Sequence, residues 1–494
     1  MRKTTKRAGR ALGAALLAGS LGACDFISGV PDNTNLLTDA QAGQLFTSIQ
    51  VNTIFFNEGQ LSRLTAMWLN QIAGTDRQFA ILDQYVIDEE DVDVEMAAIY
   101  GAGGLQDIRL AREKAVAAGH TRFAAILKIH EAFLFGMAAS LWGDIPYSGA
   151  GDPTTDAPLD SQESVYAAVQ TLLDQAIAEL PTAADAGEAG ILAQRDMNFG
   201  GDPGAWQRVA QSLKARFYMH WVEAQAAGGA AATAANTACA GNCLTKAVAA
   251  AQAGINNAGE NWVGVHSSTS TETNLWYQFN IDRSGYTSGG ELGVSVLRER
   301  SDPRLPLYYT PASTGAYQGS KPGSSTGDLG PSSSQLNTGA GGYAAPAADL
   351  PIITCAETRF ILAEAFFRQG ATANAQTQLR EGVRCHLQQL GLPAADANVN
   401  ALLPSPLPTG AALLAEIIRQ KYIALFLNIE AFNDYKRTCL PDIRTVKAGT
   451  SLQGEAVPGR FYYGQTERQT NSNIPDPAAQ PLFNRNDPTP CPAT

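Results

Sequence analysis

The stretch Arg122–Trp142 constrains the fold of this chain more than any other. Phe123, Ile126, Leu127, Phe133, Leu134, Met137 and Leu141 recur at the spacing of an α-helix, and nearly all of its faces are apolar. A helix that is apolar all round has no side to turn to water, so other elements must surround it. The expectation is a mainly helical protein with this helix at its centre. Further helical spacing marks Val94–Ala118 and Ser161–Leu180, the latter with Ser161 placed to cap it and Pro181 to close it. In Ala205–Glu223, Trp206, Val209, Leu213, Phe217 and Trp221 form one stripe. Helices return at Glu357–Arg368, Ala373–Leu390 and Ala411–Phe426. Short turns, and small residues such as Ala363 and Ala365 at contacts, predict tetratricopeptide-like antiparallel pairs, without that repeat's clean period of about 34 residues.

Between these helices, Asn261–Pro351 is rich in Gly, Ser, Thr and Pro, and Ser313–Gly342 reads as nearly all loop. Loops of this length in compact domains carry function or are disordered. Trp262, Trp276, Tyr277, Phe279, Tyr286, Tyr308, Tyr309, Tyr317 and Tyr343 are interleaved with its polar residues. That mixture suits a binding surface, with some of the rings forming core beneath the loops.

The N-terminal stretch places the chain in a cell. Arg2, Lys3, Lys6, Arg7 and Arg10 precede a short apolar run, Ala11–Leu21, which is too short to span a bilayer. It ends on Leu21-Gly22-Ala23-Cys24 and resembles a bacterial lipoprotein signal. The resemblance implies cleavage before Cys24, lipidation of that cysteine, and a membrane anchor of several acyl chains. Asp25 favours inner-membrane retention in some bacteria, so the motif alone does not choose the membrane. Residues 1–23 are then signal, 24–37 a lipidated tether and 38–494 the folded domain. Within that domain 38–260 and 352–494 form the helical scaffold, and 261–351 the loop-rich ligand-binding region.

Loss of the signal moves the formal charge from −12 to −17, an acidic balance that disfavours nucleic acid. No later stretch is apolar for the about 18 residues a membrane helix needs. Six cysteines remain besides Cys24, an even number in an exported chain. Cys239 and Cys243 flank a short turn and are expected to pair. Cys355, Cys385, Cys439 and Cys491 allow three pairings that the sequence leaves open.

Several segments resemble the SusD/RagB family of outer-membrane nutrient-binding lipoproteins, in its divergent SusD-like branch. They are Leu141-Trp142-Gly143-Asp144-Ile145-Pro146-Tyr147-Ser148, the helix Trp206–Arg216, Ser301-Asp302-Pro303-Arg304-Leu305-Pro306, and Glu357–Ala365. Gln420–Phe426, Glu430–Thr438 and Tyr463–Asn471 complete the family order, with Gly464 where the family often has proline. The resemblance implies a SusD-like helical fold with tetratricopeptide-like pairs and a loop-rich insert. It implies no catalysis and no cofactor. It also implies a SusC-like TonB-dependent β-barrel partner that receives oligosaccharide or peptide ligands. In this family such motifs hold the scaffold, so Trp142 and Tyr147 read as packing, and Glu364 and Arg437 as buried partners.

Enzyme signatures are missing. The five histidines, at 120, 130, 220, 266 and 386, form no metal-binding pair. There is no phosphate-binding loop. A glycosidase's two carboxylates leave no local signature, so a surface hydrolase remains a rival reading. The acidic run Asp88–Glu95 lacks the EF-hand spacing and reads as a solvated turn before a helix. His130-Glu131 and His220 read as core residues. For sugar binding, flat aromatic faces beside hydrogen bonders are needed, and Asn274-Leu275-Trp276-Tyr277-Gln278-Phe279-Asn280 offers both. Trp276 and Tyr277 are expected to stack on ligand, with Asn274, Gln278 and Asn280 bonding to it. The same alternation equally fits a short strand with one buried face. The reading is a lipid-anchored, surface-exposed outer-membrane lipoprotein that binds oligosaccharides or similar nutrients for a TonB-dependent transporter. The alternative is a helical scaffold lipoprotein in envelope assembly.

Overall fold

The central helix runs Thr121–Trp142 and is buried from Phe123 onward save Lys128. A computed structural model describes residues 40–151, 155–323, 332–443, 456–487 and 491. The signal, Cys24 and the tether 24–37 lie outside these residues. From Ala42 on, the chain forms one compact unit.

The central helix packs against Gln162–Glu179, whose N-cap Ser161 accepts from the backbone of Ser164. Pro203–Met219 packs against Cys243–Ala253, and Cys355–Arg368 against Thr372–Gln389, with Ala411–Ala424 laid on that last pair. The last pair is where the sequence places consecutive helices, whereas Cys243–Ala253 is a helix that the sequence reading does not mark. Close approach sets their spacing: at Gly136 on the central helix a Cβ would overlap the ring of Phe217.

Two expected helices are broken. Val94–Ala118 is two helices, Asp93–Tyr100 and Leu105–Ala117, because Gly103 between them has φ +75°. The stripe Ala205–Glu223 stops at Met219 and resumes at Val222. At the break, His220 is buried between Tyr166 and Glu430, at 2.8 and 2.9 Å.

The end of the central helix shows how the two halves of the chain depend on each other. The last carbonyls of a helix have no partner within it. Here Ser140 O accepts from Lys436 Nζ at 2.6 Å and Asn484 Nδ2 at 2.7 Å. Leu141 O accepts from Phe461 N at 3.0 Å, and Trp142 O from Arg460 at 2.5 Å. Gly143, at φ +77°, then turns the chain away.

Buried ion pairs fasten the scaffold. Arg216 donates to both carboxylate oxygens of Glu357 at 2.7 and 2.6 Å. Arg437 donates to Glu364 and Asp434 at 2.5 Å, and Lys421 reaches Asp434 at 2.9 Å. Burial alone would raise the Glu364 carboxyl, but the Arg437 and Arg368 charges hold it well below the usual range. Arg304, fully buried, is held by Asp302, Gln420 and His386. These are the residues of the sequence motifs. The acidic run is a turn entering the helix Asp93–Tyr100, with Glu89 paired to Arg468 at 2.6 Å.

Three disulfides join Cys239 to Cys243, Cys355 to Cys385 and Cys439 to Cys491. The second ties two paired helices together. The loop-rich insert holds no cysteine and is closed at its base by a short antiparallel pair, Trp262–Gly264 with Leu350–Ile353. Thr287–Gly289 pairs with Ile72–Gly74 and so stitches the insert to the N-terminal scaffold.

Candidate functional site

The segment expected to carry ligand contacts is a helix, Leu275–Asp282, and not a strand. Asn274 makes it one: its Oδ1 accepts from the N–H groups of Trp276 and Tyr277 at 2.9 and 3.1 Å, a helix N-cap. Its Nδ2 donates to Ala348 O at 2.8 Å, so this fully buried amide holds helix and loop together. Trp276 is also fully buried. Its ring is closed off from water, and the stacking role expected of it gives way to packing. Tyr277, Gln278 and Asn280 are half-buried. Gln278 donates to Thr273 O at 2.6 Å and Asn280 to Trp276 O at 2.8 Å.

This burial is general. All six tryptophans of the chain are at most 1% exposed. Tyr308, Tyr309 and Tyr343 cluster around Phe426, with Tyr308 stacked on it at 4.2 Å. Among the aromatic residues of the insert, Tyr277, Phe279, Tyr286 and Tyr317 keep partly accessible faces.

Beside the helix lies a cavity of about 540 Å³, within the usual range for a small-ligand site. One wall is a stripe of the helix Ala42–Glu58: Thr47, Val51, Ile54 and Phe55, at the i, i+4, i+7 and i+8 positions. Met197 adds to it. The other residues come from Val265–Ser267 and from Thr271 to Gln278. A smaller recess of about 210 Å³ shares Phe55, Leu275 and Gln278 with it and reaches Arg63 and Arg283. Gln278 therefore lines both. Of the five residues named for ligand contact, Gln278 lines the cavity, and Leu275 of the same segment lines it as well.

Sequence reasoning missed the wall from the first helix. The sequence carries no signal for it, since Val51 is spaced like a core residue and only the fold leaves it 53% exposed. Sequence reasoning also missed His266, whose Nε2 meets Glu58 Oε2 at 2.8 Å across 208 residues of sequence. Burial pushes the Glu58 carboxyl up to about 7, against the lowering effect of His266. Burial would lower His266, but the Glu58 hydrogen bond and charge outweigh it and raise its pKa. Both ring nitrogens are engaged, Nδ1 with Glu272 O at 3.3 Å, and Glu58 is fully buried. This arrangement links the first helix to the insert at the cavity wall. Among the described residues no group of three or more His, Cys, Asp or Glu is placed to hold a metal ion.

A family model, SusD-like_2, described as "Starch-binding associating with outer membrane", matches residues 34–464. The chain belongs to the SusD-like family. Solved structures share its fold. One is a chitin-binding protein, 19% identical, with a TM-score of 0.74 over 90% of this chain and 100% of that one. A chitin-binding SusD homolog from Flavobacterium johnsoniae is 21% identical, with a TM-score of 0.71 over 90% and 98%. A SusD/RagB family protein from Bacteroides thetaiotaomicron is 18% identical, with a TM-score of 0.70 over 92% and 98%. No curated protein matches the chain.

Within this SusD-like fold the family motifs are the fastenings of the scaffold. Trp142 Nε1 donates to Tyr462 O at 2.6 Å, and Tyr147 Oη to Glu131 at 3.0 Å. His130 is buried against Thr53 Oγ1 at 2.9 Å, and burial pushes it down to about 3, a neutral core histidine. Gly464 sits at φ −60°, a backbone angle proline also adopts, but its N–H donates to Met96 Sδ at 3.1 Å and a Cβ there would meet Asp93 at 2.8 Å, so glycine is fitted to this turn.

Proposed function

We propose that this SusD-like protein is the ligand-capturing subunit of a nutrient importer. It is anchored by lipid at Cys24 to the outer membrane, faces the cell surface, and binds oligosaccharides or similar nutrients. It passes them to a SusC-like TonB-dependent β-barrel and acts by binding, without catalysis or cofactor. The observation that carries the reading is the family match over 34–464, joined to a formed cavity beside the segment 274–280. The starch- and chitin-binding descriptions of the family and its structural neighbours support a glycan as the ligand. In this proposal Gln278 touches ligand in the cavity, Tyr277 and Asn280 flank it, and Asn274 and Trp276 hold the helix that presents them. Ligand choice resides in 261–351, where loops vary without disturbing the helical scaffold.

The test is a pull-down of the tagged, lipidated protein from gently solubilised native membranes, with partners identified by mass spectrometry. A near-stoichiometric TonB-dependent barrel is expected. Envelope-assembly factors in its place would transfer the reading to a helical scaffold protein.

A further inference from the structure

The cavity beside Leu275–Asp282 is two-sided. Val51, Ile54, Phe55, Met197, Val265 and Leu275 give it an apolar lining. Three of these, Val51, Met197 and Val265, are among the few large apolar side chains of the described residues left open to water, at 53, 38 and 39%. Exposed apolar groups gathered at one concave place mark a binding surface rather than scatter. The polar lining comes from the stretch 266–278: Ser267, Thr271, Glu272, Thr273 and Gln278 beside His266. No lysine or arginine lines it, and Glu272 and the Asp349 carboxylate bonded to His266 N make its surroundings acidic.

A bare sugar ring suits this lining poorly. Its C–H faces can lie on apolar groups, but hydroxyls at its edge turned toward Val51, Ile54 and Val265 would lose water without gaining a partner. No tryptophan lines the cavity, and its one phenyl ring is that of the half-buried Phe55. An acidic sugar would meet Glu272 and no lysine or arginine in this lining. We infer that the cavity binds a neutral sugar unit bearing an N- or O-acyl group, with the acyl group against Val51, Ile54 and Val265 and the hydroxyls toward Ser267, Thr273 and Gln278. This rests on the glycan-binding reading above and narrows it to acylated glycans.

The test is calorimetric titration of the purified lipidated protein in detergent with β-1,4-linked glucosamine tetramers carrying N-acetyl, N-propanoyl or N-butanoyl groups, and with the matching glucose tetramer. The acylated tetramers should bind at least tenfold tighter than the glucose tetramer. Affinity should rise about fourfold per added methylene until the cavity is full, the ratio that burying one CH₂ supplies. Val51→Asp, at an exposed position, should abolish the preference without moving the unfolding midpoint. Val265→Thr, nearly isosteric, should reduce it. Equal binding of acylated and plain tetramers would overturn the inference and leave the glycan reading standing. If no tetramer binds, the inference also falls; an array of plain glycans then decides the broader reading, which survives if any is retained and falls if none is.

Discussion

The scaffold and the segment 274–280 of the insert use polar groups in different ways. In the scaffold, charges from distant segments meet inside the protein: Arg216 with Glu357, and Arg437 with Glu364. In 274–280, neutral amides mostly bond backbone close by, as Asn280 does to Trp276 O and Gln278 to Thr273 O, while Arg304 farther along the insert is anchored like the scaffold. A buried ion pair is costly to desolvate and costlier to break, so its geometry is fixed from several elements at once. A local amide bond ties only its own turn. The difference explains how one architecture keeps its frame while its binding face is free to change.

The sharpest way to break the contrast is to remove one scaffold cation. Arg437→Met leaves Glu364 and Asp434 facing each other without their shared guanidinium. Chemical denaturation should show a loss of about 3–5 kcal/mol. Trp276→Ala tests the insert's own core. As a fully buried tryptophan it should cost about 3–5 kcal/mol, near the lower end if the loops relax into the space. A variant with unchanged stability would return Trp276 to the ligand-facing role the sequence suggested.

The Glu58–His266 pair joins the two regions and should register as a pH dependence. Glu58 has its pKa raised from an ordinary 4.5 to about 7, so the folded chain holds a proton that the unfolded chain has released. Stability from this group is therefore full below about pH 4.5 and falls as pH rises through 7. His266, also raised, pulls in the same direction, with Asp349 and Glu272 facing the pair. Wild type should lose up to about 3 kcal/mol relative to Glu58→Gln between pH 4.5 and 7.5, at about 1.4 kcal/mol per pKa unit. Parallel pH profiles for the two proteins would remove the pair from this role.

The smallest expected effect on stability is at Gln278, half-buried at the junction of two recesses. Gln278→Ala should shift unfolding by less than about 0.5 kcal/mol while weakening ligand binding about fivefold in titration. If stability falls and binding holds, Gln278 belongs to the frame.

What the sequence disclosed follows from range. The helix Thr121–Trp142 was legible because its pattern repeats every turn, and the pairing of Cys239 with Cys243 because only a turn separates them. Glu364 and Arg437 were legible as buried partners through the family resemblance. At 274–280, alternation spoke for a strand as much as for a binding face, and the decisive residue was Asn274, whose cap starts a helix. The cavity was out of reach because its walls come from residues 47–55, 197 and 265–278. Val51 and Ile54 are spaced like core residues, and only the tertiary fold shows which of them stays open. The partners of the remaining cysteines were undecidable for the same reason.

The closing of the central helix has a consequence in time. A chain made from its N-terminus onward has Thr121–Trp142 long before it has Lys436, Arg460, Phe461 and Asn484, which take up that helix's last carbonyls. Until they arrive, the most apolar part of the protein has an open end. The native core is finished only by the last segments to emerge, so a chain still being threaded across a membrane stays pliable until nearly all of it has passed.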